Sequence, residues 1–304
     1  SIGLVLLVNI SLWQAGFAMP IASLLFLITG LYISNNGYGY FIETRHKRQL
    51  SDLFGSYVPP ELIDKMVEDP LQYNMATKKA QLTVLFADIV GFTSISERLN
   101  PEELTAFVNE YLTEMSATIS SHGGTLDKYI GDAIMAAFGI PLGHEDDEDR
   151  ALRASISMIR KLKEWNVSRL NDGKMPIDIG IGLNTDTVVS GNIGSKKRMD
   201  YTIIGDGVNL AARLESACKQ YAAKILISEF TFKNLKGTYR TREVDFVVVK
   251  GKTQPVAIYE VLDYHDESSF PNLMDAVNQF REGIQKYRAG KWSEATNSFN
   301  KVLE

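Results

Sequence analysis

The spacing of apolar positions changes several times along the chain. QLTVLFA, Gln81 to Ala87, is a short, nearly continuous apolar run and predicts a buried strand. From Pro101 to Ser121, Leu104, Phe107, Val108, Tyr111, Leu112, Met115 and Ile119 recur three or four apart, which predicts an amphipathic helix. TLDKYI and AIMAAF are separated only by Gly131 and Asp132, which predicts two strands in a tight hairpin. A long helix is expected from the acidic run EDDEDR to about Leu170; the acids suit the positive end of its dipole and lack the alternating spacing of a calcium loop. PIDIGIGLNT and DYTIIG predict strands, DGVNLAARLESACKQ a helix, and KILIS, EVDFVVVK and VAIYEVL later strands. Helices mixed with hairpin-paired strands define an α+β sandwich rather than a doubly wound parallel sheet.

The two ends follow other patterns. Residues 1–42 contain no Asp, Glu, Lys or Arg, and the stretch from Phe17 to Phe41 is about long enough to cross a ~30 Å hydrocarbon core as a helix. Ile2 to Leu12 reads as the tail of an earlier span, and Trp13, Tyr38 and Tyr40 would sit near the interfaces. ETRHKR, Glu43 to Arg48, brings charge back beside the span, so the rest of the chain is expected on the cytoplasmic side of the inner membrane. Residues 43–78 are expected to form juxtamembrane helices and a linker, broken at Pro59-Pro60. Phe280 to Glu304 spaces Gly283, Gly290, Trp292, Ala295 and Phe299 like a tetratricopeptide helix pair, so residues 270–304 are read as a partial repeat. Such a pair either continues into further repeats, offering a protein partner a surface, or docks on the domain before it. The chain starts without a methionine and is expected to belong to a longer one.

Composition narrows the function. A 304-residue chain with 45% hydrophobic residues can bury one or two cores, and a net charge of -5 argues against a nucleic-acid binder. The single cysteine, Cys218, forms no internal disulfide and reads as a small buried apolar residue.

The chemistry lies in carboxylates and cations. Asp88 ends the first strand and Asp132 lies at the hairpin tip, so the two share one sheet end if those strands are neighbours. Two carboxylates so placed can hold a pair of divalent cations, magnesium or manganese, against a triphosphate. Lys128, Lys250, Arg213 and the run Lys196 to Arg198 offer positive charge, and Asn209 and Arg213 share one helix face. KGKT, Lys250 to Thr253, lacks the upstream glycine of a phosphate loop, and there is no dinucleotide fingerprint or HExxH helix.

FADIVGFTSISE, LDKYIGDAIMAAFG and YTIIGDGVNLAARLES resemble, in order and spacing, the catalytic domain of the class III adenylyl cyclases, over about residues 79–263. The resemblance implies a ferredoxin-like βαββαβ core, preceded by transmembrane helices and followed by the helical hairpin. It also implies a head-to-tail homodimer with two shared sites that converts ATP to cyclic AMP and pyrophosphate. Asp88 and Asp132 match the metal-binding aspartates; Lys128 and Thr202 match the purine-reading positions; Asn209 and Arg213 match the residues that orient ribose and stabilise the transition state; Lys250 matches the lysine on the terminal phosphates. A further basic residue is implied near Lys196 or Lys197. A donor-only lysine suits adenine N1, whereas a guanylyl cyclase is expected to carry an acid there. Many relatives have aspartate at Thr202. The membrane segment followed by LFGSYVPPELI resembles bacterial cyclases with an extracellular sensor ahead of the spans. Guanylyl cyclase and a catalytically silent, cyclase-like scaffold are the competing readings.

Overall fold

A computed structural model describes residues 10–11, 13–16, 26–35, 37–38, 77–140, 143–195, 198–248 and 255–303. The chain divides into two compact units, Ser1–Asn74 and Met75–Glu304. In the first, residues 26–35 are helical, and no helix among the described residues is long and apolar enough to cross a membrane. Most of the expected spans and all of the expected juxtamembrane helices lie outside the described residues.

The second unit is built on one mixed sheet. Its strands are β1 (Lys78–Ile89), β2 (Thr125–Ile130), β3 (Ala133–Phe138), β4 (Ile179–Ser195), β5 (Arg198–Ile204), β6 (Ile225–Ser228), β7 (Thr241–Val247) and β8 (Val256–Val261). The order across the sheet is β2-β3-β1-β4-β6-β8-β7, with β5 folded back on the far end of β4. β4 therefore runs well past the expected end at Thr185, because its second half is an arm of a hairpin with β5.

The helices are α1 (Phe92–Ser96), α2 (Pro101–Ser121), α3 (Asp147–Asn171), α4 (Asp206–Tyr221), α5 (Glu229–Asn234), α6 (Leu273–Arg288) and α7 (Trp292–Leu303). α2 begins where the sequence says it should: Asn100 accepts from the Glu103 amide at 2.9 Å while the Glu103 carboxylate accepts from the Asn100 amide at 3.1 Å, with Pro101 opening the helix. The short α1 and α5 carry too little periodicity to be foreseen.

β1 alternates between two cores. Leu85, Ala87 and Ile89 pack with Phe107, Tyr111 and Met115 of α2 and with Leu152 and Met158 of α3. Leu82, Val84 and Phe86 pack on the other face with Val208 and Ala211 of α4. Both faces are covered, which is why the strand reads as an apolar run rather than an alternation.

The C-terminal hairpin docks on the sheet of this unit. α6 lies against β7, which is an edge strand: the Arg242 guanidinium stacks over Phe280 at 4.8 Å, and Arg288 lies 4.6 Å over Phe246 while pairing with Glu243. The helix covers an edge that would otherwise invite strand pairing.

Candidate active site

The carboxylate pair comes first. β1 and β3 are antiparallel neighbours with Ala87 opposite Ile134, so the end of β1 and the β2–β3 turn share one end of the sheet. The turn tightens through Gly131 at φ 68°, a conformation that costs glycine little. Asp88 Oδ1 and Asp132 Oδ2 are both buried and have no hydrogen-bond partner. Burial, and then the adjacent Asp88 carboxylate, push the Asp132 carboxyl up to about 7. Burial, and then Asp88, likewise push Glu215 on α4 up to about 7. The fully buried Tyr111 hydroxyl also lacks a partner; its pKa is raised by burial and then by Asp88, Asp132 and Glu215.

Negative charge is thus gathered with one oxygen of each carboxylate left without a donor, although backbone amides of Ile89 and Asp132 partly offset the rise at Asp132. Two buried carboxylate oxygens without donors are the hard ligands that magnesium or manganese prefers, so the residues fit such ions. Among the described residues no group of three or more His, Cys, Asp or Glu forms a metal site.

A second set of residues lies across β2 and β5. The register of β2 slips between Leu126 and Lys128, a bulge at Asp127 that re-aims side chains locally. Asp127 is buried and accepts a hydrogen bond from the Thr202 hydroxyl at 2.8 Å, with Lys128 Nζ 4.0 Å from the same carboxylate oxygen. Burial raises the Asp127 carboxyl, while the Thr202 bond and the Lys128 charge oppose that rise. The hydroxyl hydrogen of Thr202 is committed inward, so its oxygen is left to act as an acceptor.

Asn209 and Arg213 form the third set, on α4. The helix lies close to β4 because Gly182 has no side chain: a Cβ there would come within 2.3 Å of the Ala211 carbonyl oxygen and the Glu215 amide nitrogen. A buried polar chain fixes the first turn of the helix. Ser228 Oγ donates to Asn184 Oδ1 at 2.7 Å, and Asn184 Nδ2 donates to the Gly207 carbonyl at 2.9 Å. Val208, Ala211, Leu214 and Cys218 are buried, whereas Asn209 and Arg213 are exposed. Arg213 and Glu215 are separated by about 200° around the helix, at ~100° per residue. The charge near Asp88 and the exposed arginine therefore occupy opposite faces of α4.

The structure brings Asp88 to Asp132, Thr202 to Lys128, and Asn209 to Arg213. Among the described residues, no hydrogen bond or ion pair joins the aspartate pair to Lys128, Asn209 or Arg213. Lys250, Lys196 and Lys197 lie outside the described residues. Asp127, Tyr111, Glu215 and Asn184 were not foreseen as site residues. Only Asp127 had a sequence signal, an acid inside an apolar strand next to a singled-out lysine.

These parts belong to one α+β domain: a mixed sheet with paired carboxylates at one end, a donor on β2 beside an acceptor on β5, and an exposed arginine on a packed helix. Residues 75–262 match the model of the adenylate and guanylate cyclase catalytic domain, and the chain belongs to that family. It is 41% identical over 220 residues to an adenylate cyclase of Anabaena cylindrica, a match covering 69% of this chain and 43% of that protein. It is 36% identical to the terminal-differentiation adenylate cyclase of Dictyostelium discoideum, over 73% of this chain and 10% of that one. The chain thus spans less than half the length of these relatives. Among solved structures it resembles the adenylyl cyclase CyaB of P. aeruginosa, with 41% identity, TM-score 0.57 and coverage of 62% of this chain and 96% of that one. It also resembles the guanylyl cyclase Cya2, at 39% identity and TM-score 0.55, covering 62% and 94%.

Proposed function

We propose that this chain is an adenylyl cyclase that converts ATP to 3′,5′-cyclic AMP and pyrophosphate. General similarity does not choose the base, since an adenylyl and a guanylyl cyclase resemble the chain almost equally, at 41% and 39% identity. The observation that carries the choice is the Thr202–Asp127 hydrogen bond of 2.8 Å beside Lys128. It leaves one donor, the lysine, and one acceptor, the threonine oxygen. Adenine offers the complement, an acceptor at N1 and a donor amino group, whereas guanine offers the reverse.

The roles follow from charge. Asp88 and Asp132 are the carboxylates suited to hold two divalent cations. When bound, such ions neutralise triphosphate charge and make the ribose 3′-hydroxyl easier to deprotonate. The 3′-oxygen attacks the α-phosphorus, pyrophosphate leaves, and Arg213 meets the charge that develops on the transferring group. Asn209 orients the ribose; Lys250, with Lys196 or Lys197 beside it, serves the terminal phosphates.

The site is completed by a second copy. Arg213 faces away from its own Asp88 side, so a head-to-tail homodimer would give two equivalent sites, each with aspartates from one chain and Lys128, Thr202, Asn209, Arg213 and Lys250 from the other. Co-expression of Asp88→Ala and Arg213→Ala chains tests this. Random pairing puts one intact site in half of the dimers and restores about a quarter of the unmutated rate, and absence of any recovery would falsify the shared site.

The uncharged residues 1–42 and the basic cluster that follows support a membrane anchor, an inner-membrane location and a cytoplasmic catalytic domain. The spacing of α6 and α7 supports a tetratricopeptide-like pair able to meet a protein partner. The product assay is direct: the chain given ATP or GTP with magnesium or manganese should yield cyclic AMP, and the yield should vanish in Asp88→Ala. Cyclic GMP from GTP in place of cyclic AMP from ATP would reverse the base assignment, and silence with both nucleotides would favour the scaffold.

A further inference from the structure

A cavity of about 420 Å³, lined by none of the residues assigned to nucleotide, lies between α1, α2, the end of α3 and the turn that leads into β4. Ile95, Leu99, Phe107, Met175 and Ile177 give it an apolar wall. A volume of that size lies within the usual range of small-molecule pockets, roughly 300–1,000 Å³.

One charged side chain on its wall is unusual. Arg169 is 9% exposed, and its guanidinium lies beside the stacked Phe107 and Trp165 rings, 4.9 Å from the first and 5.1 Å from the second. Its Nε donates to the Met175 carbonyl at 3.0 Å. Among the described residues its terminal nitrogens make no hydrogen bond and no carboxylate pairs with it. Buried guanidinium groups are ordinarily paired, because leaving one without an acceptor is costly. Of the nearby acids, Glu103 serves the cap of α2, at 3.1 Å from the Asn100 amide, and Glu110 accepts from the Trp165 indole at 3.0 Å and acts on Arg169 only through space. Of the other cations on the wall, Arg98 donates to the Met175 sulfur at 3.3 Å and Lys174 lies 3.6 Å from Asp172.

We propose that this cavity is a binding site for a monoanionic amphiphile, with a carboxylate on the terminal nitrogens of Arg169 and an apolar body against Ile95, Leu99, Met175 and Ile177. The flat fork of an arginine held against two aromatic rings suits the two oxygens of a carboxylate. Glu103 and Glu110 on the same wall oppose a second negative charge, which disfavours a phosphate dianion. A decyl-length chain fits the apolar wall, whereas a short hydrophilic acid would leave it wet.

The test uses the full chain with Trp13 and Trp292 replaced by phenylalanine, so that Trp165 alone reports, together with titration calorimetry. Decanoate below its micellar range is compared with decanol. Decanoate should bind saturably and change Trp165 emission, with decanol at least tenfold weaker. Arg169→Gln should weaken decanoate binding at least tenfold. Ala106→Phe, on an exposed position of α2 that lines the cavity, should do the same by filling it and decides the matter if Arg169→Gln fails to fold. Equal binding of decanol, decanoate binding that survives both substitutions, or neither heat nor emission change with decanoate would overturn the proposal.

Discussion

Aspartates with buried carboxylate oxygens have opposite surroundings at two places in this domain. Asp149, in the first turn of α3, is 2% exposed and fully served: its carboxylate accepts from the amides of Lys236 and Gly237 at 2.9 and 2.8 Å and from the Tyr239 hydroxyl at 2.9 Å. Asp88 and Asp132 bury an oxygen each without any donor and stand beside one another. A carboxylate that folding satisfies is part of the architecture. A carboxylate that folding leaves unsatisfied, next to a second one, is held for something that arrives later.

The largest effect that would sharpen the contrast is at the unsatisfied pair. Asp88→Asn should lower cyclic AMP formation about 1,000-fold or more, the scale of losing a principal electrostatic contributor to the transition state. In chelator the same substitution should leave the urea midpoint unchanged or raise stability by about 1 kcal/mol, since it removes an uncompensated buried charge. A variant that both loses activity and unfolds easily would erase the distinction. Asp149→Ala is the mirror experiment. It strands three donors and should cost about 3 kcal/mol or more in urea unfolding, while the rate per folded molecule stays within about twofold. Asp127→Asn should act more narrowly. Its amide can donate to Thr202, which frees the hydroxyl to act as donor, so the ratio of kcat/KM for ATP over GTP should fall about tenfold. An unchanged ratio would remove Asp127 from base selection.

How much of this was readable beforehand depends on the range of the interaction. Asp88 and Asp132 were legible because a charge at the end of an apolar run and in a two-residue turn is a local anomaly. The helices α2, α3 and α4 were legible from periodicity, and the cap at Asn100 and Glu103 is local too. Asn184 was not, because its partners Gly207 and Ser228 are 23 and 44 residues away. The same holds for Asp149, whose donors lie 87 to 90 residues on, so a run read as favouring a helix dipole also anchors a distant loop. The cavity beside Arg169 joins α1, α2 and the turn after α3, and no periodicity within any one of these announces it.

The smallest expected effect concerns a buried group that is neither ligand nor anchor. Cys218 lies on the inner face of α4, opposite Arg213, with its sulfur 3.4 Å from the Ile181 carbonyl and 3.5 Å from that of Leu214. Burial pushes the thiol up to about 12, from 9.0 in the unfolded chain. Between those values the folded chain keeps a proton that the unfolded chain releases, so stability is fully present below pH 9 and declines as pH rises toward 12, by at most about 1.4 kcal/mol per pH unit. Urea unfolding at pH 8 and pH 10 should therefore show a larger loss for the unmutated chain than for Cys218→Ala, by about 1 kcal/mol. Iodoacetamide at pH 8 should label Cys218 only as fast as α4 opens, because the thiolate is disfavoured and shielded in the packed state. Rapid labelling with folded signals intact would mean that α4 separates from β4 readily, and the helix that carries Asn209 and Arg213 would then be a moving part rather than a fixed one.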